Sequence, residues 1–233
     1  MKSHLIPVLA LGLLVSSASA QDKPDLTNPK QKTSYAVGLN IGSSLKQQDL
    51  DLDAKALNAG IADGLAGKPA LTAEEQKAVL TDLQKSVMAQ AEEKHKAAAA
   101  KNLKAGEDFL AANAKKAGVK TTASGLQYKV IKSGTGPSPK LTDTVKVHYQ
   151  GTLIDGTVFD SSVDRKEPVT FPVNEVIPGW TEALQLMKEG DKWQLVIPPR
   201  LAYGEEGPGP IGPNSTLIFE VELLGIEKPE ATP

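Results

Sequence analysis

Few side chains in this sequence can carry chemistry, and their placement excludes more than it offers. The chain has three histidines and no cysteine. His95 stands in a run of Lys, Glu and Ala, His148 shares the polar face of an alternating segment, and His4 lies in an apolar leader. No two of them can meet at a metal. The absence of cysteine removes disulfides, thiolate nucleophiles and cysteine-ligated zinc. Ser161 and Ser162 have no base that the sequence places nearby, so a nucleophilic triad is not expected. The glycines of "GEEGPGPIG" (204–212) lack the following helix and lysine of a phosphate loop. No metal and no cofactor is expected.

What remains is apolar and aromatic. Phe159, Val176, Ile177, Trp180, Tyr203, Ile211 and Phe219 fall at strand ends, at a helix head or in the loops between. "VIPGWTEALQLMKEG" (176–190) predicts a short helix with Trp180, Ala183, Leu184 and Met187 on one face, ended by Gly190. Such a helix usually just plugs a sheet. Leading it with the largest side chain, in a chain with two tryptophans, and gathering aromatics at strand ends are more than a buried core needs, so a functional role stands beside the structural one. A plainly well-packed sheet domain accounts for the same pattern, and pattern alone leaves both open.

The elements that must position these residues divide the chain. Its 233 residues are 40% hydrophobic and 23% charged, with a net charge of −2. That supports a real core and supplies no basic field for nucleic acid. Residues 1–20 have a basic start (Lys2), the apolar run "LIPVLALGLLV" and a small-residue Ala18-x-Ala20 ending, which reads as a signal peptide cut after Ala20. The run over 5–15 is shorter than the ~20 residues of a spanning helix. A soluble protein of a bacterial periplasm is expected.

Eight of the ten aromatic residues lie after residue 125, and between Pro29 and Pro137 the only proline is Pro69. The region 21–71 therefore reads as helical, with helices over 29–48 and 53–66. Thr72 and Glu75 form a capping box opening a long connecting helix within 72–117. Val79, Leu80, Leu83 and Val87 make one stripe and Leu103, Phe109 and Leu110 a smaller one, read as docking patches at the two ends of an exposed rod, with no sustained heptad between them. The short helices cannot close a core alone. A second copy of the chain is the simplest partner, so a homodimer held by residues 27–90 is expected, with the charged rod holding the two C-terminal domains apart.

After "KKAGVKTTASG" the period falls to two. Leu126, Tyr128 and Val130 alternate with polar residues, as do Val145, Val147 and Tyr149, then Trp193, Leu195 and Ile197, then Leu217, Phe219, Val221 and Leu223. One wet and one dry face predict an antiparallel sheet, with the Trp180 helix on the dry face. The fold class is α+β, its sheet domain at 118–227 and a tail at 228–233. Asp155-Gly156 marks a hairpin turn.

"HYQG", "FDSS", "VIPGW", "AYG" and "FEVELL", in that order, resemble the FKBP-type peptidyl-prolyl cis-trans isomerases over residues 120–227. With the leader and the helical half, the whole chain is similar to their periplasmic FkpA- and Mip-like subgroup. The resemblance implies an FKBP-like antiparallel sheet wrapped on a short helix, preceded by an all-α dimerisation region. It implies a prolyl pocket floored by Trp180 and lined by Tyr149, Phe159, Asp160, Val176, Ile177, Tyr203, Ile211 and Phe219. Val169 stands where other members carry a pocket phenylalanine, and Pro210 replaces an isoleucine in the flap loop over 203–214. Arg165 is expected to neutralise Asp160, with Tyr149 completing the network, and the backbone N–H of Ile177 to meet the substrate. The implied activity is isomerisation of X-Pro bonds in unfolded or partly folded exported proteins, with chaperone activity, and macrolides as inhibitors. A dimeric chaperone that only grips unfolded chains is the alternative.

Overall fold

A computed structural model describes residues 23–227. The expected signal peptide and the 228–233 tail lie outside the described residues. The chain forms two compact units, divided between Gln76 and Lys77.

The first unit is helical. Helix α1 (Pro29–Gln47) starts where the Asn28 side chain accepts from the Lys30 and Gln31 N–H groups, with Pro29 at the position that tolerates it. Helix α2 (Ala54–Ala66) is capped by Asp53 and stopped by Gly67 in a left-handed conformation, φ 66°. Neither helix buries a single residue. Tyr35, Val37, Leu39, Ile41 and Ile61 are exposed, and Leu65 is 88% exposed.

Helix α3 (Ala73–Asn113) begins with the expected capping box. Thr72 N–H donates to Glu75 Oε2 at 2.8 Å, and Glu75 N–H donates to Thr72 Oγ1 at 3.2 Å. Its 41 residues span roughly 60 Å at ~1.5 Å per residue. Among the described residues, no helix is long and apolar enough to cross a membrane.

The second unit is built on one antiparallel sheet. Its strands are β1 (Val119–Thr121), β2 (Gln127–Lys132), β3 (Thr144–Leu153), β4 (Val158–Ser161), β5 (Val169–Pro172), β6 (Lys192–Ile197) and β7 (Leu217–Glu227). The order is β1-β2-β6-β7-β3-β4, and β5 also pairs with β3. Helix α4 (Pro178–Leu186) lies on the dry face, where Trp180, Ala183 and Leu184 join Val145, Val147, Leu195, Ile197, Leu217, Val221 and Leu223 in one core. At Gly179 a Cβ would come within 2.5 Å of Ile197 Cγ2; that closeness seats the head of α4 on β6.

Three local expectations change. Helix α4 ends at Leu186, because Met187 turns extended and is fully buried. Gly190, at φ 92°, instead donates its N–H to the Leu223 carbonyl. On β2 the two-face rule weakens, because Gln127 is buried while Val130 is 37% exposed. The end of α3 covers the reverse face there: Asn113 Nδ2 donates to Gln127 Oε1, and Gln127 Nε2 donates to the Leu110 carbonyl, both at 2.9 Å. The amide of Gln127 is thus satisfied away from water. Finally, the apolar stripe expected to dock α3 does so only in part, since Leu103 stays 42% exposed. Gly106 supplies the close approach instead: a Cβ there would sit 2.3 Å from Thr216 Oγ1.

Candidate active site

The curved middle of β3, the strand β4 behind it and the head of α4 meet at one cavity of about 320 Å³. Its walls are Tyr149, Phe159, Asp160, Phe171, Glu175, Val176, Ile177, Trp180, Tyr203 and Phe219. Trp180 is buried and is met edge-on by three rings: Tyr149 at 5.2 Å, Phe219 at 5.3 Å and Phe171 at 5.9 Å between centroids. Phe159 stands edge-on to Phe219 at 5.5 Å. Edge-to-face contacts of this kind add to the area buried and fix ring planes. The indole N–H of Trp180 is buried with no hydrogen-bond partner among the described residues.

Backbone geometry explains why these rings can converge. Gly151 on β3 pairs with Asp160 on β4 and with Phe219 on β7. A Cβ at Gly151 would lie 2.6 Å from Phe159 and 2.8 Å from Phe219, so the bare α-carbon is the space both rings occupy. At the head of α4, the Ile177 carbonyl accepts from Trp180 N–H and Thr181 N–H, and Pro178 sets the first turn. The Asp155-Gly156 turn closes as expected, with Gly156 at φ 89° and Thr157 N–H donating to Asp155 Oδ1.

Of the two carboxylates at the wall, Asp160 and Glu175, Asp160 comes with its partners attached. The Tyr149 hydroxyl donates to Asp160 Oδ2, Arg165 Nη1 donates to Asp160 Oδ1, and Arg165 Nη2 donates to the Tyr149 hydroxyl at 3.3 Å. Desolvation raises the Asp160 pKa, but the hydrogen bonds from Tyr149 and Arg165 and the charge of Arg165 outweigh it and hold the carboxyl below its ordinary range. Burial, then the bond to Asp160, pushes the Tyr149 phenol up. The group is therefore a neutral phenol and a neutralised carboxylate, not a general base.

Two residues assigned to the pocket by resemblance, Val169 and Ile211, are not among these walls. Val169 packs against the core, and the ring at the wall belongs to Phe171. The two share one face of β5, opposite Val147 and Val145 respectively, and alternation cannot choose between positions two apart. Ile211 is buried beside a different cleft, which Ala98, Asn102, Leu153, Pro210 and Pro213 also line. Glu175, in the short turn before Val176, is at the wall without any sequence signal. Tyr203 stands at the rim, 43% exposed.

The expectation that no base approaches the serines also changes. His148 Nδ1 lies 3.0 Å from Ser162 Oγ. Ser162 is fully buried, and its hydroxyl accepts from Tyr149 N–H and donates to the Tyr149 carbonyl. The pair braces β3 and gives no substrate access to a nucleophile.

Two family models match: FKBP-type peptidyl-prolyl cis-trans isomerase over residues 136–224, and the domain amino terminal to it over 30–130. The chain is 49% identical to the FKBP-type peptidyl-prolyl cis-trans isomerase FkpA of Aeromonas hydrophila, covering 93% of this chain and 83% of that one. It is 46% identical to the outer membrane protein MIP of Legionella longbeachae, over 98% of this chain and 99% of the relative. The crystal structure of FkpA from Escherichia coli matches with a TM-score of 0.71 and 45% identity, covering 86% of this chain and 97% of that one. In motif, in fold and along nearly its whole length, the chain belongs to the FKBP-type peptidyl-prolyl cis-trans isomerases.

Proposed function

We propose that the aromatic cup is where this isomerase turns X-Pro bonds, with the prolyl ring seated on the Trp180 indole. The observation that carries the reading is the convergence of Tyr149, Phe159, Phe171, Trp180 and Phe219 on one cavity, with the Asp160 carboxylate at its wall already held by Tyr149 and Arg165. Amide resonance sets the barrier at ~18–20 kcal/mol. The twisted transition state has lost that resonance, so its carbonyl is less polar than in the planar amide. A dry cup strips water from the carbonyl and favours the twisted form. Phe159 and Phe219 wall the ring, and Val176 and Ile177 hold its far side. Tyr203 offers its hydroxyl to a substrate carbonyl at the rim. Asp160, held by Tyr149 and Arg165, supplies a fixed field beside the amide. No proton has to move.

The same reading extends to assembly and location. Helices α1 and α2 leave their apolar residues exposed, and covering them with a second copy gives a homodimer through residues 27–90. Two cups on one scaffold gain avidity for a long unfolded chain, which is a physical basis for chaperone activity. The leader over 1–20 and the likeness to a protein named for the outer membrane support a periplasmic protein whose substrates are proline-containing chains. The apolar cup also suits macrolide inhibitors.

The test is an isomerisation assay on short X-Pro peptides. Phe159→Ala and Tyr203→Ala should lose most of the acceleration while circular dichroism stays native. Full activity in both would place the chemistry elsewhere. Sedimentation of the mature protein at micromolar concentration should give two chains; a monomer removes the assembly reading.

A further inference from the structure

The flap loop that carries Tyr203 is tied to α3 from outside the sheet domain's own strands. Asn102, about three turns before the end of that helix, donates its side-chain amide to the Pro213 carbonyl at 2.8 Å and to Ser215 Oγ at 3.4 Å. Asparagine is a poor choice for a helix interior, so its place here has another cause. Pro213 is buried, and a buried carbonyl needs a donor. One turn further along α3, Gly106 lies against Thr216. These two contacts, four residues apart on one helix face, grip the stem of the loop just before β7.

The stem is a tight structure in which Asn102 supplies a donor from a different element. Gly212 and Asn214 both adopt left-handed backbone, at φ 72° and 51°. The Ser215 hydroxyl turns back to the carbonyls of Ile211 and Gly212. Asn214 N–H donates to the Gly204 carbonyl at 2.8 Å, closing the neck of the loop beside Tyr203. Displacement of Pro213 therefore moves Asn214, then Gly204, then the Tyr203 ring at the rim of the cup.

We propose that Asn102 is a positioning residue for the isomerase reaction: it locks the stem of the flap and so sets where Tyr203 meets the substrate. The inference rests on the reading that Tyr203 acts at the cup. The residue that sets the rim then belongs to α3, outside the strands that build the cup.

The test uses the full mature chain. Asn102→Leu keeps the volume and removes the donor. Asn102→Asp keeps size and polarity but cannot donate to a carbonyl, and it stands in if the leucine variant fails to fold. Either should lower kcat/KM on an X-Pro peptide roughly threefold to tenfold, since small misplacements near a reacting group are costly. The melting temperature should fall by about 2–12 °C, and kcat/KM is read per folded molecule well below the midpoint. Hydrogen exchange at the Asn214 amide should quicken about tenfold. In a Tyr203→Ala background the Asn102 variants should have no further effect on kcat/KM. An unchanged kcat/KM in both Asn102 variants overturns the proposal, as does the same proportional loss with Tyr203 already removed. If Tyr203→Ala alone leaves kcat/KM intact, the cup reading fails first and this inference falls with it.

Discussion

Adding one methyl group to Gly151 should damage the cup more than it damages the fold. The new Cβ would lie 2.6 Å from Phe159 Cζ and 2.8 Å from Phe219 Cε1, where ordinary contact begins at 3.4 Å. Relief requires the Phe159 ring to retreat by about 0.8 Å, the difference between 3.4 and 2.6 Å, and Phe219 by nearly as much. Overpacking of this kind costs about 1–3 kcal/mol. Gly151 lies in a strand at ordinary φ, so alanine recovers about 0.5–1 kcal/mol of backbone entropy. The net loss is about 0–2.5 kcal/mol, read by urea unfolding. Activity should fall further, by at least about tenfold in kcat/KM, because both displaced rings are walls of the cavity and a 1 Å misplacement can cost 10²-fold. Gly151→Ala with native kcat/KM refutes the claim that the two rings need the bare α-carbon. So does a loss of activity that merely tracks the fraction unfolded.

Phe171→Leu should reduce kcat/KM several-fold while Val169→Leu leaves it near native, because only the former removes a ring from the wall; equal effects would return Val169 to the site. Asn113→Ala leaves a buried Gln127 oxygen without its donor and should cost about 1–3 kcal/mol in urea unfolding, with kcat/KM per folded molecule unchanged; a neutral variant means the end of α3 contributes nothing to the sheet. Asp160 has a depressed folded-state pKa, so its contribution to stability is present above the ordinary ~3.9 and is lost as pH falls through the lower, folded value. The stability gap between parent and Asp160→Asn, read by denaturant unfolding, should therefore be open at pH 7 and closed in strong acid; a gap that persists in acid contradicts the ionised, partnered carboxylate.

Period and punctuation make most of the framework legible. Thr72 and Glu75 mark the start of α3, Pro178 the start of α4, and alternation over 145–149, 193–197 and 217–223 sets the faces of β3, β6 and β7. Asp160, Arg165 and Tyr149 are legible as a group because a carboxylate among aromatic residues requires partners. What stays hidden depends on contacts between elements. Alternation cannot say whether Val169 or Phe171 reaches the cup, since both face the same way. Gln127 reads as a wet-face residue until the end of α3 lies over it. Ile211 belongs to the flap in sequence, but the fold of that loop turns it into a second cleft. His148 reads as solvent-facing, and only the return of β4 along β3 brings Ser162 to its ring nitrogen.

The unpartnered indole at the floor of the cup gives the protein an optical reporter of its own. The sequence has two tryptophans. Trp193 is stacked flat on Tyr128 at 4.4 Å and lines no wall of the cavity, so a bound peptide leaves its surroundings alone. Trp180 is packed against three rings at near-perpendicular planes and is itself part of the cavity wall. Excited indole shifts its emission with the polarity and mobility of what surrounds it, and on the proposed reading a prolyl ring meeting Trp180 changes both. Fluorescence from the unlabelled protein should then separate into a constant component from Trp193 and one from Trp180 that follows occupancy. Substrate and inhibitor titrations become possible without a coupled protease or an attached dye.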